Sequence, residues 1–290
     1  MSREILDVVR QASKVAAEAA IKALEEGVGA REEGRGSGGD ISLRGDILAE
    51  RSAIEYLEKR IGDFSVVSEE IGEKTYGKGG GYRFIIDPID GSRNYKRGTP
   101  FFAVSVAAAE GETLEDVIAG AVYAPLLGME FYALAGGGAF LNGRRLRVPP
   151  GGDTGAVEGK VVAISSTPKA FFLPYVFALN LSLRGAVVRM LGSASLEVSM
   201  VASGGVDAYI DAWGTMRVVD VAAATLVARE AGAYVVLGGR LGTPPRISLD
   251  ERLYILVASS KILAEHVAAI YEESLGHPIE ELFRAFGVEG

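Results

Sequence analysis

The stretch that most constrains this chain is Asp87-Pro88-Ile89-Asp90-Gly91-Ser92, which closes an apolar run, Tyr82-Arg83-Phe84-Ile85-Ile86. The run reads as a short buried strand. Pro88 fixes its own φ and biases Asp87 toward an extended conformation, so the strand is expected to stop at Asp87 and the chain to turn. Asp90-Gly91 supplies turn chemistry, with Gly91 free to adopt a positive φ and leave its N–H uncovered. Two carboxylates three positions apart in a stiffened turn can converge on one hard cation. The Ser92 hydroxyl and the amides of Gly91 and Ser92 can face an anion. Taken alone, the same residues also read as solvated acids at a strand end.

Composition narrows the chemistry. The 290 residues carry a net charge of −8, which argues against a nucleic-acid partner. Length fits about two domains or one large one, and 48% hydrophobic residues suffice for a packed core. Cysteine is absent and the only histidines are His266 and His277, read as structural or surface residues. Thiolate sites, histidine-rich zinc sites and serine-hydrolase triads are therefore poor fits. The first residues lack the long apolar region of a signal peptide. The most membrane-like stretch, Ala119 to Leu141, is broken by Pro125, Glu130 and glycines and reads as a hairpin. A cytoplasmic protein without a membrane partner is the expectation. Asn94, Asn142, Asn180 and Gln11 are the only side-chain amides, a compositional hint of a thermophilic source.

Along the chain, periodicity predicts helices over 3–26 and 46–60, separated by a glycine-rich segment, Ala30 to Gly45. That segment reads as a mobile surface loop or a β-turn reaching toward a site. Strands are expected at 64–68, 82–87, 101–109, 117–123, 129–134 and 146–148, with tight turns at 77–81 and 136–143. Pro149-Pro150-Gly151-Gly152 marks a boundary. Beyond it, strands at 160–165, 186–190, 207–211, 234–237 and 254–258 alternate with helices at 168–180, 195–202, 219–231 and 262–275. The expected organisation is an α+β half over 1–150 that carries most metal ligands. A second α/β half over 151–290 would carry Asp220 and the substrate contacts.

Glu69-Glu70 ends the strand before the one that enters Asp87, so two adjacent strands would bring Glu69, Asp87 and Asp90 around one point. Asp220 opens a later helix, where an acid also serves the helix terminus. Taken together, Ser68-Glu69-Glu70, Asp87-Pro88-Ile89-Asp90-Gly91-Ser92 and Asp220-Val221-Ala222-Ala223 with Glu230-Ala231-Gly232 resemble the inositol monophosphatase superfamily. Supporting stretches are Pro100 to Ser105, Gly136 to Gly143, Leu191-Gly192-Ser193-Ala194 and Val201-Ala202-Ser203-Gly204. The resemblance spans roughly residues 40 to 260. It is greatest to the archaeal enzymes with both fructose-1,6-bisphosphatase and inositol-monophosphatase activity.

The resemblance implies a layered αβαβα sandwich of the α+β class, a homodimer or dimer of dimers, and Mg²⁺-dependent hydrolysis of a small phosphate ester. Two to three ions are implied, with Mn²⁺ able to substitute. By the resemblance, Glu69, Asp87 and the Ile89 carbonyl hold the first ion, and Asp87, Asp90 and Asp220 the second. Asp46 helps hold a third and counts with the catalytic set. The Gly91 and Ser92 amides grip phosphate. Ser92 and Glu69 or Glu70 take the proton of the attacking water. Ser193, Ala194 and Asp211 lie where polyol hydroxyls bind, and Arg189, Arg217, Lys96 and Arg97 are candidates for a second phosphate. Two positions depart from the family pattern: Ser92 stands where threonine is usual, and Val219 where tryptophan is usual.

The physical logic agrees. Four carboxylates repel a phosphate dianion by several kcal/mol even at an effective dielectric of about 20, and divalent cations reverse that sign. Oxygen-only ligands select Mg²⁺ or Mn²⁺ over Zn²⁺. The competing readings are a 3′-phosphoadenosine 5′-phosphate phosphatase and a non-catalytic phospho-ligand-binding protein on the same scaffold.

Overall fold

Consecutive side chains from Phe84 to Ile86 enter two different cores, Phe84 and Ile86 one and Ile85 the other. A strand that buries both faces needs a layer on each side, and this sets the architecture. The protein is described by a computed structural model over residues 2–148, 156–241 and 244–276.

The chain opens with α1 (Ser2–Glu25), a hairpin of β1 (Glu32–Arg35) and β2 (Ile41–Leu43), and α2 (Arg44–Arg60). There follow β3 (Phe64–Ser68), β4 (Gly72–Tyr76), β5 (Tyr82–Asp90), the short α3 (Ser92–Lys96), β6 (Ala103–Ala109), β7 (Val117–Ala124), β8 (Met129–Leu134), β9 (Gly138–Leu141) and β10 (Arg144–Arg145). The remainder is β11 (Val161–Ile164), α4 (Leu173–Leu183), β12 (Val187–Arg189), α5 (Ala194–Ser203), β13 (Ala208–Met216), α6 (Val218–Glu230), β14 (Tyr234–Gly239), β15 (Leu253–Ala258) and α7 (Lys261–Gly276).

Eight strands form one sheet in the order β10-β9-β8-β7-β6-β5-β3-β4, and five form a second, β12-β11-β13-β15-β14. The apolar stripe of α1 (Ile5, Val8, Val9, Ala12, Ala16) joins Ala49, Ala53 and Leu57 of α2 against one face of the large sheet. Its other face, with Val67, Ile85, Val122 and Phe131, packs on α5 and α6, which also meet Tyr209, Ile255 and Val257 of the small sheet. Phe177 and Leu181 of α4 and Leu263 and Val267 of α7 cover the outer face of the small sheet. The result is the expected αβαβα sandwich. Because α5 and α6 are covered on both sides, their sequences are apolar nearly all round rather than amphipathic.

The strand entering Asp87 does not stop there. β5 continues to Asp90 through a bulge: Asp87 pairs with Ser105 and Asp90 with Ala103, so Pro88 and Ile89 together oppose Val104. Pro88, which has no N–H to give, falls where the ladder is interrupted. The glycine-rich segment at 30–45 is the β1–β2 hairpin. β4 and α3 lack the apolar periodicity that would reveal them, since β4 is an edge strand with three exposed residues and α3 is one turn long. The expected edge strand at 146–148 lies instead at Arg144–Arg145, and the expected turn at 136–143 contains β9. The helix expected from Pro168 begins at Leu173, after a separate 3₁₀ turn at Pro168–Ala170. The boundary at 149–152 and His277 lie outside the described residues. Among the described residues no helix is long and apolar enough to cross a membrane.

Candidate active site

Register brings the first two acids together. β3 and β5 run parallel with Ser68 opposite Ile86, so the next residue on each, Glu69 and Asp87, stands level with the other. Val67 and Ile85 face α5 and α6, and two positions further along, Glu69 and Asp87 turn to that same side. In a regular strand Asp90, three positions from Asp87, would face the opposite way. The extra residue of the bulge restores the parity and turns Asp90 to the side of Asp87. Asp220 comes from the first turn of α6, where its Oδ2 accepts the Arg217 N–H at 2.8 Å. These four carboxylates line one cleft with Ile89, Gly91 and Ser92.

Asp90 is held from across the molecule. Its Oδ2 accepts from Ser193 Oγ at 2.7 Å, Ser195 N at 2.7 Å and Ser195 Oγ at 2.5 Å, and its Oδ1 from Ala194 N at 3.0 Å. No side chain of α5's own sequence caps that helix, so a carboxylate from the large sheet satisfies its free amides. Glu197 fixes the preceding loop by accepting from the N–H groups of Leu191, Gly192 and Ser193 at 3.1, 3.1 and 3.3 Å. Gly91 has φ +96°, and a Cβ there would sit 3.0 Å from the Gly192 carbonyl oxygen and 3.2 Å from that of Phe101. Only glycine fits that junction.

Glu50, one turn after Asp46 on α2, holds the other side of the β3 exit. Its Oε1 accepts from Ser68 Oγ and from the N–H groups of Glu70 at 3.1 Å and Ile71 at 3.3 Å. The β1–β2 hairpin leans on the same turn: Gly38 N–H donates to the Glu69 carbonyl at 2.8 Å and Ser37 N–H to that of Glu70 at 3.1 Å.

Crowded, buried acids raise one another's pKa. Burial, then Glu69, Asp90 and Asp220, hold Asp87 well above the usual carboxylate range. Burial lifts Glu69 to about 7 against the pull of Arg217, and Asp90 to about 6 against its serine hydrogen bonds. Asp46 rises to about 8 and Glu197 to about 7, both chiefly by burial. One cation stands among the acids: Arg217 donates from Nη1 to Glu69 Oε1 at 2.7 Å and from Nη2 to Asp220 Oδ1 at 3.3 Å. Among the described residues no three acidic side chains are arranged to grip a single ion. The donor set nonetheless suits a hard divalent cation, since every donor is oxygen and the acids already draw in a positive charge.

These shifts give a pH dependence. A carboxyl group whose folded pKa is raised stabilises the fold below its unfolded pKa of about 4, and that contribution is lost as pH rises through the folded value. With folded values of about 6 to about 8, the chelator-treated protein should melt several degrees higher at pH 5.5 than at pH 8.5, about three units that bracket most of the change. Saturating Mg²⁺ should shrink the difference, because it favours the ionised acids. Scanning calorimetry at both pH values checks this, and a higher melting temperature at pH 8.5 without metal contradicts it.

Of the remaining candidates, Ser193, Ala194, Asp211 and Arg217 line the cleft, and the others do not. Glu70 points to the α2 side, where Oε2 accepts from Ser42 Oγ. Asp46 is buried at the start of α2 and accepts the Leu43 N–H at 2.8 Å. Arg189 is exposed on the edge strand β12 and donates to the Val188 carbonyl. Lys96 is exposed and pairs with Glu32, and Arg97 is exposed and stays outside. The cations in the cleft besides Arg217 are Lys169 and Arg252, joined by Ser165, Ser166, Thr167 and Asp40. Ser165-Ser166-Thr167 follows the carboxyl end of β11, where open α/β sheets collect ligands, a signal the sequence carried. Arg252 gave none.

A family model for the inositol monophosphatase family matches residues 1–275. The chain is 32% identical over 225 residues to the fructose-1,6-bisphosphatase/inositol-1-monophosphatase of Methanothermobacter thermautotrophicus, covering 70% of this chain and 76% of that one. It is 33% identical over 285 residues to the inositol-1-monophosphatase of Rhizobium meliloti, covering 95% and 97%. A crystal structure of an inositol monophosphatase–fructose 1,6-bisphosphatase superimposes with a TM-score of 0.74 at 26% identity, covering 91% of this chain and 98% of that one.

Proposed function

Because the chain belongs to the inositol monophosphatase family, we propose that it is a Mg²⁺-dependent phosphatase acting on sugar or inositol phosphates, fructose 1,6-bisphosphate or inositol 1-phosphate. The observation that carries this reading is the convergence of Glu69, Asp87, Asp90 and Asp220 on one cleft beside Gly91 and Ser92. In this reading Glu69, Asp87 and the Ile89 carbonyl would hold one ion, and Asp87, Asp90 and Asp220 would move together to hold another. When bound, the ions neutralise the substrate dianion, acidify a water and stabilise the leaving alkoxide.

The chain's own groups do the positioning. Ser92 Oγ donates to the Ile89 carbonyl at 2.9 Å, which leaves its lone pairs free to accept a hydrogen bond from the attacking water. The amides of Gly91 and Ser92 receive phosphate oxygens. Asp211 lines the cleft with a buried Oδ2 that has no hydrogen-bond partner among the described residues. A substrate hydroxyl would satisfy it, which supports a polyol over an apolar alcohol. Lys169 and Arg252 are the cations placed to meet a second phosphate. The same reading carries a cytoplasmic homodimer or dimer of dimers, which light scattering checks for assembly size.

A panel of fructose 1,6-bisphosphate, inositol 1-phosphate and 3′-phosphoadenosine 5′-phosphate, each with Mg²⁺, tests the function. Release of phosphate from either of the first two is expected. Hydrolysis of the nucleotide alone would replace the substrate class, and no hydrolysis of any would favour a binding protein. Ser92→Ala should lower kcat by roughly 10²-fold and leave the Mg²⁺ concentration for half-maximal rate nearly unchanged. A variant that needs far more Mg²⁺ but reaches the normal rate would remove Ser92 from the proton path.

A further inference from the structure

Arg217 does more than sit near the acids. Its guanidinium spans them, with Nη1 on Glu69 and Nη2 on Asp220, and so bridges carboxylates assigned above to two different ions. Its side chain is only 13% exposed. Burial by itself would lower its pKa, but Asp220, Glu69 and Asp87 hold it above the ordinary arginine value, so it is charged at every working pH. The β1–β2 hairpin closes over it. Asp40 Oδ2 lies 3.4 Å from Nη1 while Asp40 Oδ1 lies 3.3 Å from Lys169 Nζ. A Cβ added at Gly38 would come within 2.6 Å of the same Nη1.

A planar fork holding two carboxylates is a strong local arrangement, and it occupies the lone pairs that a cation would need. We propose that Arg217 is a tethered competitor for the metal. In the metal-free protein its guanidinium neutralises Glu69 and Asp220 and anchors the hairpin through Asp40. Loading a divalent cation requires it to leave that position. Because the competitor is part of the chain, dilution does not weaken it, so it sets the Mg²⁺ concentration the protein requires. It also links loading to release of the hairpin. This inference rests on the metal-dependent reading above.

The test uses the full chain stripped of metal by chelation, as wild type, Arg217→Ala and Arg217→Lys. Mg²⁺ is titrated by calorimetry and by the emission of Trp213, the single tryptophan. Removing the buried positive charge should tighten Mg²⁺ binding about tenfold or more and lower the melting temperature of the metal-free protein. The lysine variant keeps the charge but loses the fork, and should fall between. If Arg217→Ala does not fold without metal, the lysine variant carries the comparison alone. Wild type binding Mg²⁺ with either folded variant binding no tighter overturns the competitor role and leaves the phosphatase reading intact. No Mg²⁺ binding by wild type or variant overturns both. A second readout is proteolysis within residues 32–43 of the metal-free protein, expected to be faster in Arg217→Ala. Equal cutting would overturn the anchoring of the hairpin.

Discussion

Asp87→Asn is expected to lower kcat/KM by about a thousandfold or more while the metal-free protein loses no stability. The two halves of that expectation come from one arrangement. Asp87 is 2% exposed and is crowded by Glu69, Asp90 and Asp220, which together with burial disfavour its charge. An amide removes the like-charge repulsion and still accepts the Ile89 N–H, which Asp87 Oδ1 now receives at 3.1 Å. Catalysis loses the carboxylate proposed to serve both ions. Phosphate release and thermal melting on the same preparation check it. Retention of more than about a tenth of the wild-type rate, ~1.4 kcal/mol of barrier, would sink the bridging role.

Asp90→Ala should behave differently, losing activity and stability together. Truncation strands two serine hydroxyls and two amides at the start of α5. Each buried donor left without an acceptor costs about 1–3 kcal/mol before relaxation, and the helix also loses its cap. A net loss of about 2–4 kcal/mol is expected, a fall in melting temperature of roughly 5–12 °C. Asp90→Asn keeps one acceptor and should recover part of it. If Asp90→Ala melts with the wild type, the carboxylate is not what holds α5 to the large sheet. The pair of variants thus separates two acids that look equivalent in the sequence.

What the sequence made legible was the local chemistry. The acid-bearing turns, the apolar strand before Asp87 and the helix opened by Asp220 are readable from Pro, Gly and apolar periodicity, whereas the layered fold was legible only through the family resemblance. Nonlocal geometry was not. That Glu69 stands level with Asp87 follows from the parallel register of β3 and β5, and that Asp90 shares their side follows from a bulge whose partner, Val104, lies in the next strand. Glu70 was paired with Glu69 by adjacency, yet adjacent residues of an extended chain face opposite ways, and Glu70 meets Ser42 instead. The cations were hardest to assign. Arg189 and Lys96 carry the right charge on the wrong surface, whereas Lys169 and Arg252 reach the cleft from loops.

The bulge at Pro88-Ile89 makes the site a matter of counting. Inserting one residue beside those two, with the ladder keeping its single bulge, would leave every acidic side chain in the protein. Asp90, however, would then turn to the face of α1 and α2, away from α5. Such a lengthened chain would keep its formal charge and its complement of carboxylates, so neither composition nor an inventory of charged residues would reveal the lesion. The information that builds the cleft therefore includes an interval as well as a set of residues. An insertion of one position there is a more severe change than most substitutions, because it exchanges one face of the sheet for the other.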